Sequence, residues 1–464
     1  MGFSPWVADP ADPALSSPGD LPVFTRPWRL AWCPLRTPIA YGASRCLVVL
    51  CLGAAALGVH AAADTPLSLD QALRLSEERS RQLVAQGSAA SAARQQAVAA
   101  GQRPDPTLRA GLNNLPINGP DRFSLTRDFM TMRSVGVAQE LTRGDKLRAR
   151  AARFDREAEV AEAGRELDLA NLQRDTATAW LDRHYQERLR QVLVQQRDEA
   201  KLQVVAADAG YRGGRAAQAD AFAARLAVAQ IEDRIAQAER QIAVAKTQLA
   251  RWVGPLATDQ PLAAPPDTTA VRLDLANLET ILGHHPRIAV MARQEEVALA
   301  EAEIARTNRR PDWSAEVMYS QRGPAYSNMV SLNVSVPLQW DRKNRQDREL
   351  TARLATVQRL AAEREEATRA HVSEALAMVQ EWRSDRERLL RYDESLIPLA
   401  SARVRAATVA YGGNTGTLSA ALEARRNEID VRTERLRLEM DAARLWAQLN
   451  YLVPAGNEPS ATHP

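Results

Sequence analysis

Cysteine is missing from most of this chain of 464 residues. The three cysteines, Cys33, Cys46 and Cys51, all lie near the N-terminus. The rest of the chain therefore has no disulfide framework and no thiol nucleophile. We expect its stability to come from packing or from assembly with other chains.

A long apolar run is missing as well. The segment CLVVLCLGAAALGV at 46–59 is shorter than the roughly 20 apolar residues that a membrane-spanning helix needs. An A-x-A pattern at 61–63 follows it, which is typical of a secretory signal peptide and its cleavage site. We predict that residues 1–63 comprise an N-terminal extension and a signal peptide, and that the mature protein is exported. Residues 1–41 are either a true extension or the result of a wrongly assigned start.

Strong net charge and catalytic motifs are also absent. The chain has 60 basic and 57 acidic residues, so its composition does not favour nucleic acid as a partner. It contains no GxSxG, Walker or HExxH motif. His284 and His285 are adjacent, and adjacent side chains at a helix start do not converge on one metal ion. We therefore predict no enzyme activity, no cofactor and no metal site, and interpret the two histidines as capping or solvated.

What the chain does have is a repeated helical pattern. Over 231–252, apolar residues recur at spacings of four and three, a 3.5-residue period typical of a helix packed in a coiled-coil seam. The same positions 200 residues later are again apolar, with Arg435 as the exception. The two series are Ile231, Ile235, Ala238, Ile242, Ala245, Leu249 and Trp252, and Val431, Arg435, Leu438, Ala442, Leu445, Leu449 and Leu452.

Two short motifs of matching composition precede these helices. YRGGRAAQADAFAAR occupies 211–225 and YGGNTGTLSAALEAR occupies 411–425. Glycine and asparagine accept the positive φ that ends a helix and turns the chain. Each motif is predicted to join a long outgoing helix to a long returning one, at the tip of a helical hairpin. Pro398 predicts a bend in the second outgoing helix.

Four segments of alternating polarity predict β-strands ahead of the hairpins. They lie at about 107–115, 131–141, 313–321 and 329–338, and a period of two is that of a strand with one apolar face. A half-buried soluble hairpin also fits this alternation. Four strands do not close a barrel in one chain, however, and an open edge is not tolerated in lipid. Several copies that pool their strands and helices would meet both requirements.

These patterns predict a mainly α fold that repeats a strand pair and a long helical hairpin in tandem. The predicted divisions are a first repeat at 64–254 with its hairpin at 143–253, a linker at 255–272, a second repeat at 273–454 with its hairpin at 341–453, and a flexible tail at 455–464.

This arrangement resembles the TolC-like outer membrane factor family of outer membrane efflux proteins. The resemblance covers 66–454 and rests on two halves, each with a strand pair and a tyrosine-glycine tip motif. It implies a homotrimer in the outer membrane of a Gram-negative bacterium, where three copies build a twelve-stranded β-barrel. The long helices would form a periplasmic tunnel. It also implies a periplasmic adaptor and an inner-membrane pump of the RND type as partners.

Two segments are most similar to the heavy-metal branch of that family. They are MTMR at 130–133 and SVGVAQELTRGDKLRARA at 134–151. The resemblance thus implies a passive exit duct for heavy-metal cations, with efflux of drugs or organic solutes and type I protein secretion as alternatives. A soluble periplasmic coiled-coil adaptor is an alternative of another class, but adaptors usually carry one helical hairpin rather than two.

The resemblance also assigns roles at the two tips. Asp220 stands where the family places an aspartate that pairs with an arginine of the other tip and closes the tunnel mouth. Gly416 occupies the place of that arginine, so Arg215 or Arg212 is expected to substitute. The positions expected to dock the adaptor are Tyr211, Gly213, Gly214 and Arg215 at the first tip, and Tyr411, Gly413, Asn414 and Thr415 at the second.

Overall fold

The computed structural model describes residues 66–214, 217–272, 278–283, 285–413 and 415–454. Within these ranges the chain is mainly helical, with a single four-stranded sheet. In chain order the elements are α1 (Leu69–Arg79), α2 (Arg81–Ala100), β1 (Thr107–Asn113), β2 (Met132–Leu141), α3 (Gly144–Arg212), α4 (Gln218–Val253), α5 (Pro255–Thr258), α6 (Leu278–Gly283), α7 (Pro286–Thr307), β3 (Trp313–Gln321), β4 (Met329–Ser335), α8 (Gln346–Arg391), a π-helical turn (Tyr392–Leu396), α9 (Ile397–Gly412) and α10 (Leu418–Asn450).

The first helical hairpin consists of α3 and α4. Helix α3 has 69 residues, which at 1.5 Å per residue gives a rod of about 100 Å. The predicted seam of α4 is largely buried against it, with Ala238 at 2% and Leu249 at 0% exposure. Ile231 and Ile235 pack with Leu193 of α3 in the same seam.

The second hairpin differs from the first in its outgoing arm. Helix α8 gives way to the π-helical turn, and Pro398 then lies in the first turn of α9. A proline is tolerated there because the first helical residues lack an intrahelical acceptor for their amide protons. The interruption therefore lies just before Pro398, where the sequence predicted a bend.

The π-helical turn explains why Arg435 occupies an otherwise apolar seam position of α10. Two of the three guanidinium nitrogens of Arg435 donate to the Asp393 carboxylate, with Nε–Oδ1 at 2.7 Å and Nη2–Oδ2 at 3.0 Å. Arg435 also pairs with Glu439 one turn further along α10. A bidentate guanidinium–carboxylate pair thus replaces the apolar contact of the first repeat.

The main core lies where α1, α3, α4, α8 and α10 meet. Trp180 of α3 is fully buried there, and its ring N–H donates to the Leu67 carbonyl at 3.1 Å. Trp446 of α10 donates to the Ala270 carbonyl at 2.8 Å. Leu67 also forms a parallel bridge with Leu262. The segment predicted as a linker is therefore fixed against the core.

The four strands form one antiparallel sheet in the order β1-β2-β3-β4. The central pair, β2 and β3, joins the two repeats, with Val137 opposite Val317. Strand β1 ends at Asn113 and β4 at Ser335, two and three residues earlier than predicted. Pro337 follows β4 and has no amide proton to donate to a ladder.

The strands connect to the helices through a buried ion pair. The Lys146 ammonium at the start of α3 pairs with Asp312 just before β3, and both side chains are largely buried. The same carboxylate accepts the Arg143 amide at 3.2 Å. On the other side of the sheet, α8 begins at Gln346 rather than at the predicted 341, because 341–345 form turns in which Asp341 accepts from Asn344.

No helix in the described part of the chain is long and apolar enough to cross a membrane.

Candidate functional site: an exposed apolar sheet and two hairpin ends

One face of the sheet is apolar across all four strands. The register aligns Leu108, Val137, Val317 and Leu332 in one row. The next row aligns Ala110, Val135, Tyr319 and Val330. Alternating residues of each strand therefore build one continuous apolar surface, which we call the apolar face.

The apolar face is not covered by any element of the described chain. Leu108 is 72% exposed, Leu332 70% and Val330 73%. Contiguous apolar patches of this kind are rare on soluble monomers and mark contact with a membrane or a partner.

The opposite face of the sheet is polar and is partly buried over the central strands. Ser134 and Ser320 are buried on it, and Arg109 pairs with Glu316 at 3.2 Å. Gly136 lies on this face where β3 approaches, so that a Cβ there would stand 2.6 Å from the Val317 carbonyl oxygen. The two faces thus have opposite solvent preferences.

Both outer strands have a free edge. In the described residues, β1 pairs with β2 alone and β4 pairs with β3 alone. Each edge leaves a row of backbone N–H and C=O groups without a ladder partner, which makes it a template for another strand.

Exposed tryptophans mark the helix-side end of the apolar face. Trp313 is the first residue of β3 and is 53% exposed, while Trp340 follows β4 and is 89% exposed. Tryptophan combines an apolar ring with one N–H donor, so it suits a boundary between lipid and water.

The first hairpin end places Tyr211 in solvent. Its side chain is 46% exposed at the end of α3. Gly213 closes the helix through its amide, which donates to the Ala209 carbonyl at 3.0 Å. Gly214 then adopts a φ of +69°, which glycine accepts without strain. Arg215 lies outside the described residues.

The second hairpin end uses other contacts to make its turn. The amides of Thr415 and Gly416 both donate to the Ala410 carbonyl, at 2.9 and 3.0 Å. The Thr417 hydroxyl then caps α10 by accepting the Ala420 amide at 3.2 Å. Gly413 closes α9 much as Gly213 closes α3. Asn414 lies outside the described residues.

The two hairpin ends pack against each other. Ala207 and Ala224 of the first hairpin form a buried cluster with Leu418 of the second. Tyr411 packs on this cluster, whereas Tyr211 does not belong to it. The two tyrosines of the repeated motif therefore have different environments, which the motif itself did not indicate.

The candidate gate residues make local contacts in this single chain. The Asp220 carboxylate accepts the Ala217 amide at 3.2 Å at the start of α4. Arg212 Nε donates to the Asp208 carbonyl at 3.3 Å. Asp220 and Arg212 are thus not brought together as an ion pair in the described chain.

A buried histidine pair was not predicted from the sequence. His285 caps α7 by accepting the Arg287 amide on Nδ1 at 3.1 Å. Its ring centroid lies 4.2 Å from that of His371 on α8, and both side chains are more than nine-tenths buried. Burial lowers the pKa of both rings, that of His285 to about 4. His284 lies outside the described residues.

The described residues contain no cluster of three or more histidine, cysteine, aspartate or glutamate side chains that could hold a metal ion. The histidine pair borders a cavity of about 830 Å³ between α3, α4, α8, the start of α7 and the end of α10.

Comparison with known proteins identifies the fold. No protein-family model matches the sequence, and no curated protein of similar sequence is found. Solved structures do match. A membrane protein from Pseudomonas aeruginosa is 15% identical, with a TM-score of 0.70 over 83% of this chain and 93% of that chain. VceC, an outer membrane protein of Vibrio cholerae, is 18% identical, with a TM-score of 0.68 over 84% and 97%.

A third similar structure is the CmeC outer membrane channel of Campylobacter jejuni. It is 12% identical, with a TM-score of 0.67 over 84% of this chain and 87% of that chain. At such identities the similarity concerns the fold alone. The chain has the fold of these three proteins.

Proposed function

We propose that this protein is a passive outer-membrane efflux channel without catalytic activity of its own. The observation that carries the proposal is an exposed apolar sheet face with two free edges, attached at one end to helical hairpins of about 100 Å. A soluble protein gains nothing from this combination, whereas a channel that crosses the outer membrane and extends through the periplasm uses each part of it.

The apolar face would contact the outer membrane lipid. The face carries Val, Leu and Tyr side chains that are 44–73% exposed, and burial of such side chains in lipid is favourable. Trp313 and Trp340 would then lie at the periplasmic boundary of the membrane, with the helices in the periplasm.

The free edges would be closed by neighbouring copies. If β4 of one copy pairs with β1 of the next, the contact is heterologous and closes into a ring when the rotation fits. Three copies with four strands each give the twelve-stranded barrel that the resemblance implies. The hairpins of the same three copies would enclose a periplasmic tunnel.

The hairpin ends would form the docking surface for a periplasmic adaptor. Tyr211 is 46% exposed at the end of α3, and Gly213 and Gly214 shape the turn beside it. We include Arg215, and at the second end Gly413, Asn414 and Thr415 with Tyr411, in the proposed contact. The adaptor would connect the channel to an inner-membrane pump of the RND type, which supplies the energy.

Closure of the tunnel mouth would require ion pairs between neighbouring copies. We propose Asp220 as the acidic partner, with Arg212 or Arg215 as the basic one. Among the described residues, Asp220 and Arg212 form hydrogen bonds within their own turn or helix. The Asp220 carboxylate and the Arg212 guanidinium have further hydrogen-bonding capacity for another copy.

The cargo that we propose is heavy-metal cations, on the basis of the sequence similarity at 130–151. Organic solutes and secreted polypeptides are the alternative cargoes, and a soluble adaptor is the alternative role. The chain has two hairpins and a single sheet that joins both repeats. A soluble adaptor that bridges two proteins needs neither feature, so both argue against that role.

Cell fractionation tests the proposed location, and the sensitivity of cells to metals, dyes and detergents tests the proposed cargo. Cells that produce the full chain should carry it in the outer membrane as an oligomer that dissociates on heating. Cells that lack it should become sensitive to cadmium, cobalt or zinc and keep their resistance to dyes and detergents. Recovery as a soluble periplasmic monomer would exclude a channel, while sensitivity to dyes alone would replace metal cations by organic solutes as cargo.

A further inference from the structure

The long connection between β1 and β2 presents apolar side chains to solvent. It covers 114–131 and lies at the end of the sheet opposite the helices, since α2, α3, α7 and α8 all adjoin the other end. Phe123 is 57% exposed and Ile117 is 72% exposed. We call this segment the outer loop. Its exposed large apolar residues are Ile117, Phe123, Leu125, Phe129 and Met130.

The backbone of Phe123 has an unusual conformation. Its φ is +53°, a region that bulky residues rarely occupy. The Phe123 amide donates to the Pro116 carbonyl at 2.8 Å, which closes the turn. When the ring of a strained residue is exposed, packing of that ring does not offset the cost of the strain. Such strain is typical of functional positions.

The outer loop is fixed against the neighbouring turn between β3 and β4. The Arg322 guanidinium donates twice to the Phe129 carbonyl. Gly323 packs so closely on Thr126 that a Cβ would stand 1.9 Å from the Thr126 carbonyl oxygen. At its base the Thr131 hydroxyl is buried and donates to the Asn114 carbonyl at 3.1 Å. The exposed side chains therefore belong to a defined surface.

Arginines accompany these apolar side chains. The Arg122 guanidinium lies 4.7 Å from the centroid of the Phe123 ring. Arg133 lies on the apolar face at its loop end, opposite Leu112 and Gln321 in the ladder. In the described chain neither Arg122 nor Arg133 forms an ion pair with a carboxylate. Two acidic groups lie nearby and are already engaged: Asp121 lies 3.6 Å from Arg127, and Asp128 accepts the amides of Met130 and Thr131.

We propose that the outer loop binds the phosphate groups of outer-leaflet lipids, with Arg122 and Arg133 as the phosphate ligands and the Phe123 ring, beside Arg122, as an apolar contact to the same lipids. The inference rests on the proposed function, because it places the apolar face in the membrane. Arg133 then stands at the level where that face ends and headgroups begin. Guanidinium groups bind phosphate through paired, charge-assisted hydrogen bonds.

The test uses the full-length protein, purified in a neutral detergent and stripped of lipid. The probes are diphosphoryl lipid A, the same lipid without phosphates, and inorganic phosphate. Arg122→Gln with Arg133→Gln should weaken binding of the diphosphoryl lipid by roughly tenfold or more. The matched control is Arg342→Gln with Lys343→Gln, which removes the same charge at the helix end of the sheet and should leave the affinity unchanged.

Phe123→Asn is a second variant that separates lipid contact from folding. Asparagine accepts positive φ, so the variant should unfold at the same temperature as the unchanged protein or higher, and should still bind the lipid more weakly. Equal affinity of the arginine double variant, equal binding of the phosphate-free lipid, or full competition by inorganic phosphate would each overturn the inference.

Insertion into vesicles separates this inference from the proposed function. If the double variant still inserts and assembles but binds the lipid as before, the inference about the outer loop fails alone. If the unchanged protein does not associate with membranes, the proposed channel fails and the inference fails with it.

Discussion

At the residue scale, Gly136 is the position where the sheet tolerates least change. Alanine there would bring its Cβ within 2.6 Å of the Val317 carbonyl oxygen, and the strands would have to separate. We expect Gly136→Ala to lower the free energy of unfolding by about 1–3 kcal/mol, measured by thermal or denaturant unfolding in detergent. Gly111→Ala is the control, because its nearest neighbour would be a side-chain oxygen at 3.5 Å. Equal stability of the two variants would contradict the observed strand spacing.

The buried histidine pair makes the protein sensitive to acid. His285 in the folded chain has a pKa of about 4, because burial and then the neighbouring His371 disfavour its charged form. Arg287 of α7 and Arg174 of α3 act in the same direction, while a hydrogen bond with the Leu452 backbone opposes them. An unfolded histidine titrates near 6.5. The unfolded chain therefore binds more protons between pH 6.5 and 4, and folding stability falls as the pH drops through that window.

The size of this effect follows from the two pKa values. At pH 5 the loss attributable to His285 is about 2 kcal/mol relative to neutral pH. His285→Asn removes the titration and retains a side-chain acceptor for the Arg287 amide. Unfolding temperatures at pH 7 and pH 5 should therefore differ less for this variant than for the unchanged protein. If the unfolding temperature changes by the same amount between pH 7 and pH 5 in both proteins, His285 does not titrate between pH 6.5 and 4.

At the scale of elements, the second repeat differs from the first where the π-helical turn contacts α10. A substitution of Arg435 tests what this contact contributes to stability. Arg435→Leu restores the apolar seam of the first repeat but leaves Asp393 without its bidentate partner. We expect the free energy of unfolding to fall by about 1–2 kcal/mol. Arg437→Leu is the control, because that side chain is 61% exposed and pairs only with Glu434 in the described chain. A gain in stability for Arg435→Leu would show that the turn does not need the ion pair.

The first hairpin end offers a test of adaptor docking. Gly214→Val places a β-branched residue at a φ of +69°, which distorts the turn although no neighbour lies within 4 Å of the new Cβ. The variant should retain its oligomer but lose crosslinking to the adaptor and efflux. Gly412→Val is the control, since that glycine is helical and equally open. Full efflux by Gly214→Val would remove the hairpin end from the proposed docking surface.

The elements differ in how far the sequence could predict them. The 3.5-residue period indicated α4 and α10, because a helix that packs along one side shows that side in its sequence. The pairing of β2 with β3 was not predicted, since nothing local specifies which strands meet across α3 and α4. The contact of His285 with His371 was not predicted, for the same reason. The different environments of Tyr211 and Tyr411 depend on packing between the hairpins, which two similar motifs do not show.

At the scale of the whole molecule, the central claim is that the sheet is completed by other copies. In one copy β1 and β4 are separated by two strands, or about 14 Å at the usual strand spacing, which exceeds the Cα separation of about 7 Å that a disulfide can span. Cysteines placed on these two edges would therefore react only between copies.

The measurement combines Leu108→Cys with Val330→Cys, Leu332→Cys or Val334→Cys in turn, since all four side chains lie on the apolar face. After mild oxidation of the membrane-embedded protein, at least one of the three combinations should give covalent trimers on a non-reducing gel, and Leu108→Cys alone should not. Monomers in every combination, in a protein recovered without detergent, would contradict closure by neighbouring copies.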